Sequence, residues 1–150
     1  MQYGSTNRAI NLYQQIWQQH NQPELVLEAI NYLIASNQLT AASKWLQSMP
    51  PASSINPQYK SQLSYFKGKV SQQQGKLDNA ERAFEQALSE NSINGYALLA
   101  NAEVKRALGK SHQAQMLLLR ASSVEPVKLQ ALTEHADLMT SLGRYAKALG

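Results

Sequence analysis

Cysteine is absent from the 150 residues, which excludes disulfides and thiolate metal sites and leaves cytoplasm and periplasm equally open. Long apolar runs are missing too. None approaches the roughly 18 residues that a membrane-spanning helix needs, so no bilayer insertion is expected of this segment. The opening Met1-Gln2-Tyr3-Gly4 does not begin the basic, apolar and small-residue order of a signal peptide. No stretch alternates apolar and polar residues with β-branched enrichment, so no strand is expected. Acidic residues are absent between Ala29 and Leu77, where Lys44, Lys60, Lys67, Lys69 and Lys76 stand, whereas Asp78 to Gly150 holds eight acidic against eight basic residues. The net charge of +4 is therefore concentrated in the first half. Such a half admits an acidic polymer or nucleic acid as partner. The lysines form no run and lack interleaved arginine, so the preferred reading is a solvated face, with nucleic acid a lesser alternative.

Catalytic constellations are missing as well. His20, His112 and His135 have no metal-ligand spacing, and there is no H-E-x-x-H, glycine-rich phosphate loop or G-x-S-x-G element. His135 falls between Leu132 and Met139 on a helical pattern, which predicts a hydrogen-bonded core histidine. Glu81 and Glu85, four apart on a helix, are expected to face solvent with Arg82 and Lys76 nearby. No catalytic residue, metal or cofactor is expected, and the chain is read as a non-enzyme.

What the sequence does contain is a period. Gly75, Gly109 and Gly143 stand 34 residues apart, and Ala80, Ala114 and Ala148 keep the same interval. After each glycine comes a small residue five on, with Phe84 and Ala87 or Leu118 and Ala121 following at spacings that share one helix face. Asn37, Leu39, Ala42, Leu46 and Met49 match the same turn and helix, but Ala42 to Ala80 is 38 residues, an insertion assigned to the Pro/Ser-rich run 50–57. Gly4, Ala9, Tyr13 and Ile16 repeat the offsets once more. Helices are predicted over 5–19, 23–36, 39–49, 57–73, 77–90, 93–108, 111–122 and 126–142, with 144–149 opening another. Glycines 75, 109 and 143 supply the stops. Asn56 before Pro57 gives a start signal, and Pro23 and Pro126 serve as first-turn prolines. Leu25, Ala29, Leu33 and Ile34, and likewise Ala97, Leu98, Ala102 and Val104, are the predicted buried faces. Met116 to Leu119 forms a wider apolar patch, expected to be covered on two sides by neighbouring repeats.

Over essentially its whole length, and most clearly from Leu77 to Leu149, the chain resembles the tetratricopeptide repeat family, with its period of about 34 and two helices per unit. Ala80 with Phe84 carries the second-helix element, Pro126 the closing proline and Gly143-Arg144-Tyr145 the inter-helix turn. Gly68 sits at the first-helix glycine, but Ser64, Lys67 and Ser71 replace the pattern's Trp, Leu and Tyr. The resemblance implies an all-α fold, a right-handed α-solenoid of antiparallel helix pairs with about 8 helices. One domain is expected over 1–150, a piece of a longer chain: a partial unit 4–22, units 23–56, 57–92 and 93–125, and a partial unit 126–150.

In this family the first helices line a concave groove that holds a peptide or partner segment. Carried onto this chain, that geometry puts Asn31, Tyr65, Lys69, Gln73, Tyr96, Leu99, Glu103, Arg106, Thr133 and Asp137 on the inner wall, with Tyr65 and Tyr96 as anchors. Lys69 and Arg106 offer charge for a chaperone-type carboxylate clamp, but Glu103 and Asp137 would repel a bare carboxylate, so a partner of mixed charge is preferred. The resemblance thus implies a protein-protein interaction module. A scaffold segment of a bacterial envelope assembly is the alternative. Open ends of the array predict end-to-end self-association through Ile10, Tyr13 and Trp17 at one end and Leu138, Leu142 and Tyr145 at the other.

Overall fold

Three left-handed residues set the architecture. Asn37 (φ 58°), Gly75 (φ 78°) and Gly109 (φ 79°) each end a helix. At each, the next residue's amide reaches back to the third-last helical carbonyl: Gln38 to Leu33 at 2.8 Å, Lys76 to Ser71 at 2.9 Å and Lys110 to Lys105 at 2.8 Å. The second bond of the same cap runs from Asn37 to Ile34, Gly75 to Gln72 and Gly109 to Arg106. Each turn folds one helix back on the one before it.

The structure is a computed structural model that describes Asn11, Gln15, and residues 23–48 and 57–149, with side chains over 27–47 and 58–144. Among the described residues there are seven α-helices and no strand: α1 Pro23–Ala35, α2 Leu39–Ser48, α3 Pro57–Gln73, α4 Leu77–Glu90, α5 Gly95–Ala107, α6 Ser111–Ala121 and α7 Lys128–Leu149, with a 3₁₀ turn at Glu125–Val127. The predicted helix 5–19 and the insertion 50–57 lie outside the described residues, apart from Asn11 and Gln15, both helical and exposed, and Pro57. Packing runs between neighbours, α1 on α2, α3 on α4, α4 on α5, α5 on α6 and α6 on α7, while α1 meets α3 and α3 meets α5 along one layer. The chain is an all-α solenoid.

The core is correspondingly segmented. Ile30, Leu33, Trp45 and Val70 anchor a cluster over α1 to α3, and Leu98, Leu118, Ala131 and Leu138 anchor one over α5 to α7. Between them lies a small cluster of Ala80, Phe84, Ala100 and Val104. Tyr65 is half-buried against both the first cluster and this one.

Where Ser64, Lys67 and Ser71 of α3 stand in place of the pattern's Trp, Leu and Tyr, close approach and hydrogen bonds hold the helix. A Cβ on Gly68 would overlap the Phe84 ring, so glycine is what lets α3 lie against α4. Ser61 is fully buried and donates to the Ala87 carbonyl at 2.7 Å, while Ser64 donates to Glu90 at 2.5 Å. Asn94 caps α5 by accepting from the Ala97 amide at 3.1 Å and also donates to Ser61 at 2.9 Å, tying three helices together.

Several expectations are corrected. The predicted stop at Gly143 is absent, and α7 runs through it to Leu149. With no further helix after α7 among the described residues, a turn would break helical bonds without burying a new face, whereas mid-helix glycine costs only about 1 kcal/mol. The helix predicted from Ile93 begins at Gly95, because Asn94 caps it, and the one predicted from Pro126 is preceded by a 3₁₀ turn. Met116 and Leu119 of the four-residue patch are exposed, with only Leu117 and Leu118 buried. Leu138, assigned to an open end, is in the core instead. Leu142 is partly exposed, and the side chains of Ile10, Tyr13, Trp17 and Tyr145 lie outside the described ones.

Candidate functional site

The layer of α1, α3 and α5, predicted to be the inner one, brings together part of the predicted groove. Tyr65 on α3 and Tyr96 on α5 stand with ring centroids 6.3 Å apart at 46°, and Tyr65 also meets Phe84 at 5.9 Å and Phe66 at 5.4 Å. Tyr65 is thus the inner member of an aromatic step, and Tyr96, 58% exposed, is its outer face. Burial, then the nearby Tyr96 and Glu103, push the Tyr65 phenol above its ordinary value and keep it a neutral donor. Lys69 and Gln73 follow Tyr65 at four-residue intervals on α3, half-buried and exposed respectively, and Glu103 and Arg106 are exposed on α5.

Of the other predicted members, Leu99 is buried and the remaining three are exposed. Leu99, only 6% exposed, is packed in the α5–α7 cluster, so it is a core residue and not part of an exposed wall. Thr133 is exposed with its hydroxyl returned to the Leu129 carbonyl of its own helix at 2.9 Å, and Asp137 is exposed farther along α7. Asn31 is exposed on α1.

Away from this patch, on the opposite side of α5, sits a polar centre that the sequence reading missed. Lys105 is 6% exposed, and its Nζ lies 2.6 Å from Glu81 and 2.9 Å from Glu85, with Lys110 also 2.9 Å from Glu81. Glu81 and Glu85 are therefore not simply solvent-facing charges, and Arg82 instead donates to Asn79. Hydrogen bonds from Lys105 and Lys110 hold the Glu81 carboxyl below its ordinary range. Burial alone would lower the pKa of Lys105, but the hydrogen bonds it donates to Glu81 and Glu85 outweigh it and the net direction is upward. The ammonium is kept charged as a clasp between α4 and α5.

Beside this clasp is an open cavity of about 340 Å³ between α4, α5 and α6, whose walls include Leu88, Asn101, Lys105, Met116 and Leu117. Asn101 is 1% exposed, and its Oδ1 has no hydrogen-bond partner. His112 also borders this cavity. His135, expected to be hydrogen-bonded, is half-buried with an unpartnered Nε2. No group of three metal-ligating side chains occurs among the described residues, and no described helix is long and apolar enough to cross a membrane.

No protein-family model and no curated protein matches the chain. Among solved structures it is similar to one described as "Crystal structure of MamA protein", with TM-score 0.70 and 16% identity over 99% of this chain and 79% of that one. A second, "Crystal structure of MamA", gives TM-score 0.63 and 15% identity over 97% of this chain and 94% of that one. At such identity the likeness carries the fold: this chain has the helical-repeat solenoid also built by MamA, a tetratricopeptide-containing protein.

Proposed function

We propose that the protein is a non-enzymatic interaction module that holds a segment of another protein along its inner helical layer. The observation that carries this reading is the Tyr65–Tyr96 step, an exposed ring backed by a half-buried one and flanked by Lys69, Glu103 and Arg106. Rigid aromatic faces bind side chains at low entropic cost, and charges of both signs beside them suit a partner of mixed charge. Gln73 and Asn31 extend the wall as hydrogen-bonding positions, with Thr133 and Asp137 at its far end. The tetratricopeptide-like fold supports the same use.

Tyr65 packs in the core, so alanine there would disturb folding as well as binding. The informative variant is Lys69→Ala/Tyr96→Ala/Arg106→Ala with Tyr65 intact. A pull-down from source lysate, read by mass spectrometry, should recover a partner with the native chain and lose it with the triple variant at unchanged helical circular dichroism. Identical recovery from both proteins would remove the inner-layer assignment.

A further inference from the structure

We propose that the cavity between α4, α5 and α6 is a second peptide site, on the side of α5 opposite the aromatic step. It takes one large uncharged apolar side chain of a partner segment and engages the adjoining peptide group through the Asn101 amide.

The placement follows from helical periodicity. Asn101 and Lys105 stand about half a turn around α5 from Tyr96 and Glu103, so the two surfaces cannot share one ligand face. The volume, about 340 Å³, lies at the lower end of the range for ligand sites and suits one side chain with its backbone rather than a large cofactor.

The chemistry of the walls selects the ligand. Leu88, Met116 and Leu117 make an apolar lining, and Met116 is 51% exposed, a flexible thioether able to close on irregular shapes. Lys105 is neutralised by Glu81 and Glu85, and Arg120 is engaged by the Ser92 carbonyl, to which it donates at 3.2 Å. A charged ligand would have to compete with those contacts, so an uncharged one is favoured. The buried polar group of the lining left without a partner is Asn101, through its Oδ1. A buried amide oxygen without a donor carries a standing penalty, relieved by any ligand that brings an N–H. The terminal torsion of asparagine is broad, so the amide can turn either oxygen or nitrogen to the cavity and answer both halves of a peptide group. An apolar side chain joined to a peptide group meets both demands, whereas a hydrocarbon leaves Asn101 unanswered.

The test uses N-acetyl-leucine N-methylamide as probe, titrated into the isotopically labelled full chain and followed by NMR. A fragment of that size is expected to bind in the millimolar range. The expected result is saturable shifts of the Asn101 side-chain amide and the Met116 methyl, with Tyr96 unmoved. Asn101→Leu, which fills the position with an apolar group, should weaken the probe about tenfold. Met116→Ala, at a half-exposed position where folding is not at stake, should weaken it severalfold. Shifts confined to Tyr65 and Tyr96, no saturable shift, or affinity unchanged in both variants would overturn the site. Because the probe reads this cavity directly, its outcome is independent of whether the inner layer binds a partner.

Discussion

At the level of single residues, glycine and lysine carry the sharpest consequences. Gly68→Ala sets two effects against each other. Alanine is favoured over glycine in a helix by about 1 kcal/mol, but its Cβ would fall inside the Phe84 ring, which is fully buried and walled by α3, α4 and α5. Overpacking of a confined core costs about 1–3 kcal/mol. The clash should win, and urea denaturation should show a net loss of about 1 kcal/mol.

Lys105 gives a prediction with a pH signature. Glu81 is held below its ordinary value of 4.5, so the folded state binds its proton less readily than the unfolded chain. Its contribution is present above that ordinary value and is lost as pH falls through the lower folded one. Lys105 is raised above 10.5, so its contribution is complete below that value and is lost as pH rises through the higher folded one. Lys105→Met should cost about 2 kcal/mol at neutral pH, tempered by the half-exposed Glu85. The melting-temperature difference between wild type and variant should shrink toward both strong acid and strong alkali. A difference that stays constant across the range would show that the lost stem packing, and not the ion pairs, is responsible.

At the level of elements, Gly143 is the mirror image of Gly68. A Cβ there would meet nothing within 4 Å, and no positive φ is required. Gly143→Ala should therefore stabilise α7 by about 0.5–1 kcal/mol, read as a raised melting temperature. A loss of stability instead would mean that the chain needs a turn at this point. The same contrast shows what was legible in the sequence. Gly75 and Gly109 declared themselves because each is followed by an apolar face able to pack back, and Asn37 followed from the offsets of that pattern. Gly143 has the same spacing, but a turn also needs a partner helix to bury, and spacing does not report that. Ser61 and Asn101 were invisible for a related reason. Both occupy first-helix positions inside the array, and a polar residue there reads as exposed until its neighbours are placed. The aromatic step could be anticipated from its position on first helices, but the half-burial of Tyr65 depends on Phe66, Phe84 and Tyr96 converging from three helices.

At the level of the whole molecule, the solenoid is only as cooperative as its weakest junction. Each helix packs chiefly on its neighbours, so stability behaves as a chain of local interfaces. The outer clusters are broad, whereas the middle one rests on Phe84 packed among alanines and Val104, with Tyr65 linking it to α1–α3. Hydrogen bonds from Ser61 and Asn94 reinforce this junction, but neither adds apolar area. Phe84→Leu should therefore do more than lower total stability. It should uncouple the two ends, because the ring that contacts Tyr65 and fills the space beside Gly68 is lost while both outer clusters stay intact. In a Trp17→Phe background, Trp45 in the first cluster reports on α1 to α3 alone, and far-ultraviolet circular dichroism reports on all helices. The two urea transitions should coincide in the parent and separate in Phe84→Leu, the tryptophan signal moving first because α1 and α2 are shorter than α3. Coincident transitions in the variant would mean that the remaining α4–α5 contacts and the Lys105 clasp are enough to keep the array a single cooperative unit.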